Sequence, residues 1–243
     1  MEGADEGVTI LALETATVVS SVAVVKEERV LSELTVETRL THSETLVPHI
    51  EEALRLADTE RGSLSAVAVS LGPGSFTGLR IGLATAKGFA YGLGLPLVGV
   101  PTLESMAAAF PAPGVRVAPL IDAQKRRAYM ALYEWTAEGL VCKRDVAVVS
   151  FEEMKTIVAG EEGGVVLCGD MARKAKARGD LLPSNAVIAP PSHIMPRASL
   201  VAARAFSRLA RGEGKSPMEL EPLYIRRSEA EVLWEARHKE GRS

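Results

Sequence analysis

The two halves of this chain spell out the same succession of elements, which leaves few architectures open to it. In the first half, Val8 to Leu13 is a continuous apolar strand. Ser21 to Val25 and Arg29 to Thr38 read as its meander partners, joined by the charged turn Lys26-Glu27-Glu28. From His42 to Ala57 the period becomes helical, with Leu46, Ile50, Ala53, Leu54 and Ala57 on one face. Thr41 and Glu44 have capping-box spacing, and Pro48 either sets the helix start near Thr45 or kinks the helix. Ala66 to Leu71 is a buried strand, followed by a glycine turn, a helix to about Tyr91, a strand Leu97 to Val100 and a helix Pro101 to Phe110. After the break Pro111 to Gly114, the order repeats: strands Arg116 to Ile121, Ala128 to Glu134 and Gly139 to Val149, then helix Ser150 to Val158. Strand Val165 to Cys168, helix Met171 to Arg178, strand Ala186 to Ala189 and helix Pro196 to Arg211 complete it. Glu14 and Asp122 end the first strand of each half, 108 residues apart. A duplicated α/β protein is the economical reading, with lobes 1–112 and 113–243, although alternating strands and helices alone fit other α/β folds.

Composition narrows the function more than the fold. With 243 residues, 47% of them apolar, the chain can bury a sizeable core, and its formal charge of −3 exerts no global pull on nucleic acid or anionic membrane. Any RNA contact is therefore local or made by a partner. The start MEGADEGVTILALE is acidic where a signal peptide needs positive charge, and no apolar run approaches the roughly 20 residues that span a bilayer. A cytoplasmic protein with no membrane contact is expected. Cys142 and Cys168 lie in apolar stretches and read as inert buried thiols.

The stretch LGPGSFTGLRIGLATAKGFA, Leu71 to Ala90, is the most pointed motif. Its G-x-G-x-x-x-G spacing is one residue too long for the dinucleotide fingerprint, and it lacks the glycine and lysine of a P-loop. What survives is strand, turn and helix N-terminus. Ser75 and Thr77 can cap that helix or hold a phosphate, so Gly72, Gly74, Ser75, Thr77 and Gly78 are candidate nucleotide contacts beside a purely structural role. Along the helix, Gly78, Gly82, Ala86 and Ala90 form a stripe without bulky side chains, and Gly88 and Gly92 form a second. Helix-interior glycine costs roughly 1 kcal/mol relative to alanine, and the return is a close backbone neighbour. Whether that neighbour is this chain or another is open from spacing alone.

Catalytic chemistry is sparse. His42 and His49 are seven residues apart, about 10 Å along a helix, too far to hold one metal. His193 and His238 have no acid or thiol at ligand spacing, and no nucleophile or zinc motif occurs. Glu14 and Asp122 are the best acid candidates, at strand ends facing a cleft, against the plainer reading of solvated or capping carboxylates. The basic runs Lys125-Arg126-Arg127 and Arg173 to Arg178 read as solvated faces that touch phosphate only as local patches.

ILALETATVVSSVAVV, THSETLVPHIEEAL, LGPGSFTGLRIGLATAKGFA, PLVGVPTLESMAAA and EPLYIRRSEAE together resemble the bacterial TsaB (YeaZ) family of tRNA threonylcarbamoyladenosine biosynthesis proteins, over nearly the whole chain. The resemblance implies the actin-like, sugar-kinase and Hsp70 fold, with two duplicated lobes that each hold a mixed sheet flanked by helices. It also implies a non-catalytic scaffold that activates TsaD, the homologous enzyme that transfers a threonylcarbamoyl group to adenosine 37 of tRNA, alongside the ATPase TsaE. It implies tRNA contact only through that complex, homodimers built on similar surfaces, no required cofactor, and ATP or ADP at a subunit junction as a further option. By the same resemblance the docking surface comprises Leu46, His49, Ile50, Ala53, Gly78, Gly82, Leu83, Ala86, Phe89 and Ala90. Thr102 and Met106 stand where the catalytic relative carries two metal-binding histidines, and neither replaces imidazole as a ligand, so no metal site is expected. Glu14 and Ala16 stand where kinases of the fold use aspartate and glycine, so the acids Glu14 and Asp122 are expected to be vestigial. The alternative is an ATP-dependent phosphotransferase or carbamoyl-transferring enzyme acting on its own through those two acids. A protease built on Ser43 or Ser75 has no aligned base in the sequence. The segment after Glu219 either returns to the first lobe or stays free.

Overall fold

The computed structural model describes residues 7–27, 29–37 and 42–225. Its first sheet contains β1 (Thr9–Glu14), β2 (Val19–Lys26), β3 (Arg29–Glu37), β4 (Ala66–Ser70) and β5 (Leu97–Val100), in the order β3-β2-β1-β4-β5. The second contains β6 (Arg116–Asp122), β7 (Arg127–Thr136), β8 (Gly139–Ser150), β9 (Val165–Cys168) and β10 (Ala186–Ile188), in the order β8-β7-β6-β9-β10. Each sheet is thus an antiparallel meander extended by two parallel strands, and the same topology occurs twice. The repeat visible in the sequence is therefore a repeat of architecture, that of the actin-like ATPase fold.

The apolar runs follow from double coverage. β1 is buried along its whole length because it lies between β2 and β4 with helices on both faces. On one face Leu11, Leu13, Val67 and Val69 meet α1 (His42–Leu56) and α2 (Phe76–Leu93). On the other, Ile10, Ala12, Ala66 and Ala68 meet Val201, Ala202 and Ala205 of α6 (Ala198–Ala210). In the second sheet, α4 (Phe151–Ala159) and α5 (Asp170–Arg178) cover one face through Met154, Val158, Met171 and Ala172. The short α3 (Thr102–Ala107) covers the other through Leu103 and Met106.

This packing cuts across the lobe boundary expected at 112/113. That boundary separates the two sheets but not the helices, because α3 enters the second core and α6 enters the first. The chain after α6 also lies along the first sheet: Lys215 and Leu97 exchange two 3.0 Å backbone bonds, Leu220 enters the core beneath α2, and the Leu223 amide donates to the Leu71 carbonyl at 2.7 Å.

Pro48 neither starts nor ends α1, which runs from His42 through it to Leu56. Pro48 and Glu44 are both exposed, so water can serve the Glu44 carbonyl that loses its helical donor. Thr41, half of the expected capping box, lies outside the described residues. At the other end α2 runs two residues past Tyr91 and closes on Gly94, whose φ of 66° suits glycine and whose amide caps the Ala90 and Tyr91 carbonyls. Of the cysteines, Cys168 is buried and burial pushes its thiol up, whereas Cys142, expected to be buried, is exposed on β8.

Candidate functional site

The glycine turn is built around the β1–β2 hairpin of its own chain. Ser75 caps α2 by accepting from the Gly78 amide at 3.3 Å, and its own amide donates to the Ala16 carbonyl at 2.7 Å. Thr15 Oγ1 donates to the Gly78 carbonyl at 2.8 Å. A methyl group at Gly74 would overlap the Ala16 carbonyl, one at Gly78 the Thr15 carbonyl, and one at Gly82 the Thr15 hydroxyl. The amide of Gly72, at φ 104°, donates to Thr102 Oγ1 at 3.1 Å, and Phe76 stacks on Tyr224 with ring centroids 4.7 Å apart.

These residues do not fit a nucleotide phosphate. The helix cap is filled by Ser75, and the amides of Gly72, Ser75 and Gly78 already have acceptors within the chain. Thr77 is exposed beside them. The tension left open by the spacing is thus resolved for the first stripe, whose close neighbour is the chain itself.

The two acids differ from the pair expected to face a cleft. Glu14 has no exposed surface and accepts from the Ala16 amide at 2.6 Å. Burial pushes its carboxyl up to about 7, against smaller opposing pulls from the Ala16 amide and the Ser70 hydroxyl. Glu14 Oε2 and Ser70 Oγ, neighbours at the ends of β1 and β4, have no other partner. A protonated Glu14 donating to Ser70 satisfies both atoms. Asp122 has neither oxygen free: Oδ2 meets Lys174 Nζ at 2.6 Å and Oδ1 accepts from the Gln124 amide at 2.7 Å. Asp170 accepts from the Asp122 amide at 2.8 Å, and burial pushes its carboxyl up. Each acid therefore belongs to its own lobe's scaffold. Arg173 and Lys174, read as part of a solvated face, are ion-paired, and Arg173 reaches Glu37 across the lobes.

Thr102 and Met106 are both buried on α3, one accepting from the Gly72 amide and the other packed in the second core. Both side chains serve the fold. His42 is turned onto the Thr17 carbonyl at 2.9 Å and His49 onto Ser20 at 3.4 Å, both along the same hairpin.

The residues expected to dock a partner divide by exposure. Leu46, Ile50, Ala53, Gly78, Gly82, Leu83, Ala86 and Ala90 are buried in this chain's own core, and of the expected set only His49 and Phe89 are half-exposed. The reason is steric: the hairpin slips under α2 only where side chains are absent, so the first stripe faces inward. The second stripe faces outward. Gly88 and Gly92 have nothing within 4 Å of an added methyl, and with Val47, Thr85, Phe89 and Leu93 they line a groove of about 430 Å³ between α1 and α2. The four-residue period marks both stripes. Only the position of Thr15, distant in sequence, tells them apart.

The family model described as TsaD: tRNA N6-adenosine threonylcarbamoyltransferase matches residues 31–176, more than half of the chain. Over 230 residues the chain is 29% identical to the tRNA threonylcarbamoyladenosine biosynthesis protein TsaB of Bacillus subtilis, a match spanning 93% of this chain and 97% of that one. It is 38% identical to the protein of the same name from Escherichia coli over 133 residues, 54% of this chain and 57% of the other. The solved structure titled YeaZ from Pseudomonas aeruginosa superposes with a TM-score of 0.75 at 26% identity, covering 90% of this chain and 100% of that one. Among the described residues no helix is long and apolar enough to cross a membrane.

Proposed function

Because this chain belongs to the TsaB (YeaZ) family and so takes part in tRNA threonylcarbamoyladenosine biosynthesis, we propose that it does so as a non-catalytic, activating subunit docked on a TsaD-type transferase. The carrying observation is the division of labour on α2. Its inward stripe, the glycine turn and Glu14 are consumed by the chain's own hairpin, which supports the absence of an independent transfer site. Its outward stripe lines an open, mostly apolar groove with Val47 of α1 and with Arg61, where a partner helix can approach the backbone closely.

Docking therefore uses Val47, Thr85, Gly88, Phe89 and Gly92 rather than the buried stripe, and a second copy of this chain competes for the same face. A TsaE-type ATPase completes the assembly, and tRNA reaches the transferase through it. A nucleotide at the subunit junction is held by groups of the partners, since the Gly72 to Gly78 turn is occupied internally.

The test is threonylcarbamoyladenosine formation on tRNA by TsaD- and TsaE-type partners supplied with threonylcarbamoyl-AMP, with and without this chain. Product should require the chain and persist in the Asp122→Asn variant. Equal product without the chain would refute an activating role, and metal-dependent ATP turnover by the chain alone, lost in Asp122→Asn, would restore the independent enzyme.

A further inference from the structure

We propose that the β6–β7 turn is a contact for the phosphodiester backbone of RNA, an inference that rests on the reading that this chain works on tRNA with partners. The turn carries Lys125, Arg126 and Arg127, all exposed. Its shape is tightly specified. Gln124, Lys125 and Arg126 have φ values of 64°, 52° and 59°, three successive side-chain-bearing residues in the left-handed region. Bonds from the Ala123 amide to the Arg127 carbonyl at 2.9 Å and from the Arg127 amide to the Gln124 carbonyl at 3.0 Å close the loop. Asp122 Oδ1 takes the Gln124 amide, and the Arg127 guanidinium is anchored on the Val148 carbonyl at 3.2 Å. Glycine or asparagine would relax this backbone, so placing two long cations at its tip costs strain that a plain turn avoids.

The charge at the tip is uncompensated. Asp122 is paired with Lys174, Asp170 with Lys174 and the Asp122 amide, Glu37 with Arg173, and Glu153, which faces Arg127, with the Ser150 amide. Among the described residues neither Lys125 nor Arg126 has an ion pair. The chain as a whole is acidic, so this is a local feature.

The duplication supplies an internal comparison. The equivalent turn of the first sheet, between β1 and β2, has Thr15, Ala16 and Thr17 buried, the first two against the glycine turn and α2, and leaves Val18 exposed. One copy became core, and the other projects cations into solvent. The flanking Ala123 and Ala128 are buried, so the tip offers charge without the apolar centre that a protein partner needs. Projecting cations suffice for phosphate, where they fix position without reading sequence.

The experiment measures anisotropy of fluorescent unmodified tRNA titrated with the full chain between about 50 and 200 mM salt, the range over which binding to phosphate weakens most steeply. The K125E/R126E variant should bind at least about tenfold more weakly at the low end. Its log–log salt slope should be shallower by about 1.4–1.8, because two phosphates are no longer neutralised. K125N/R126N, which keeps the turn conformation, should show the same reduction in slope. Unchanged affinity and slope in both variants, or no tRNA binding by the parent chain, would overturn the proposal. Tighter binding of polyglutamate or tripolyphosphate than of tRNA at matched charge would also overturn it, reassigning the tip to an acidic protein or a free polyphosphate. Both variants should still associate with the TsaD-type partner, so lost RNA binding is distinguishable from a failure of the docking reading.

Discussion

Glu14 sits at the end of a central strand with one oxygen satisfied by a backbone amide and the other facing only Ser70. A carboxylate in that position would be an unpaired buried charge, and the protein avoids it by holding the proton up to about 7. In the unfolded chain the same group releases its proton near 4.5. Between those values the folded state binds more protons than the unfolded one, so stability falls as pH rises from about 4.5 and levels off above about 7. Glu14→Gln keeps the acceptor for the Ala16 amide and gives Ser70 a donor at every pH. It should remove this slope, leaving the variant more stable than the parent at pH 8 by about 1–3 kcal/mol, and roughly equal at pH 4. Urea midpoints at both pH values decide it, and parallel pH profiles for the two proteins would mean that Glu14 is solvated.

At the scale of elements, α2 presents two glycine stripes with opposite duties, and substitutions should separate them. Gly82→Leu drives a side chain into Thr15 and the hairpin backbone beneath the helix, so it should destabilise the first lobe by about 3 kcal/mol or more. Such a variant says nothing about docking, because it damages the monomer. Gly92→Leu points into open space, gains helix propensity of under about 1 kcal/mol, and should leave the thermal midpoint level or slightly raised. Yet it fills the groove beside Phe89, so co-purification with the TsaD-type partner should be lost. If Gly92→Leu binds the partner normally, the α1–α2 groove is not the docking face. The periodicities of Leu46, Ile50 and Ala53 and of Gly78 and Gly82 were enough to find these helices, and the apolar run Ala66 to Leu71 was enough to find the strand between them. They do not say which side of α2 meets Thr15, since that contact joins residues more than sixty positions apart. Ion pairs are hidden in the same way: Arg173 and Lys174 stand on a solvent-facing helix surface, as their pattern says, but their partners Glu37 and Asp122 lie on other elements and leave no trace in local pattern.

For the molecule as a whole, the two lobes are tied by exchanged helices and by ion pairs of unequal worth. α6 fills the first core and α3 the second, with Glu104 of α3 bonded to Arg204 at 2.8 Å and Arg208 at 2.7 Å of α6. Neither sheet keeps a complete core if the other lobe leaves, so a single cooperative unfolding transition is expected, with calorimetric and van't Hoff enthalpies in agreement. Two resolved transitions would show that the lobes fold independently. The peripheral ties should then rank by burial. Arg173 and Glu37 are 38% and 51% exposed, and Arg173→Ala should cost less than about 1 kcal/mol. Glu33 is only 10% exposed and takes two bonds from Arg197, at 3.0 and 2.7 Å, plus the Ser199 amide at the start of α6. Arg197→Ala strands that carboxylate with the amide alone and should cost about 3 kcal/mol. The double variant Arg197→Ala/Glu33→Gln removes the stranded charge and should recover part of the loss. Equal costs for Arg173→Ala and Arg197→Ala in urea denaturation would mean that both pairs are effectively in water, and that the exchanged helices alone hold the lobes together.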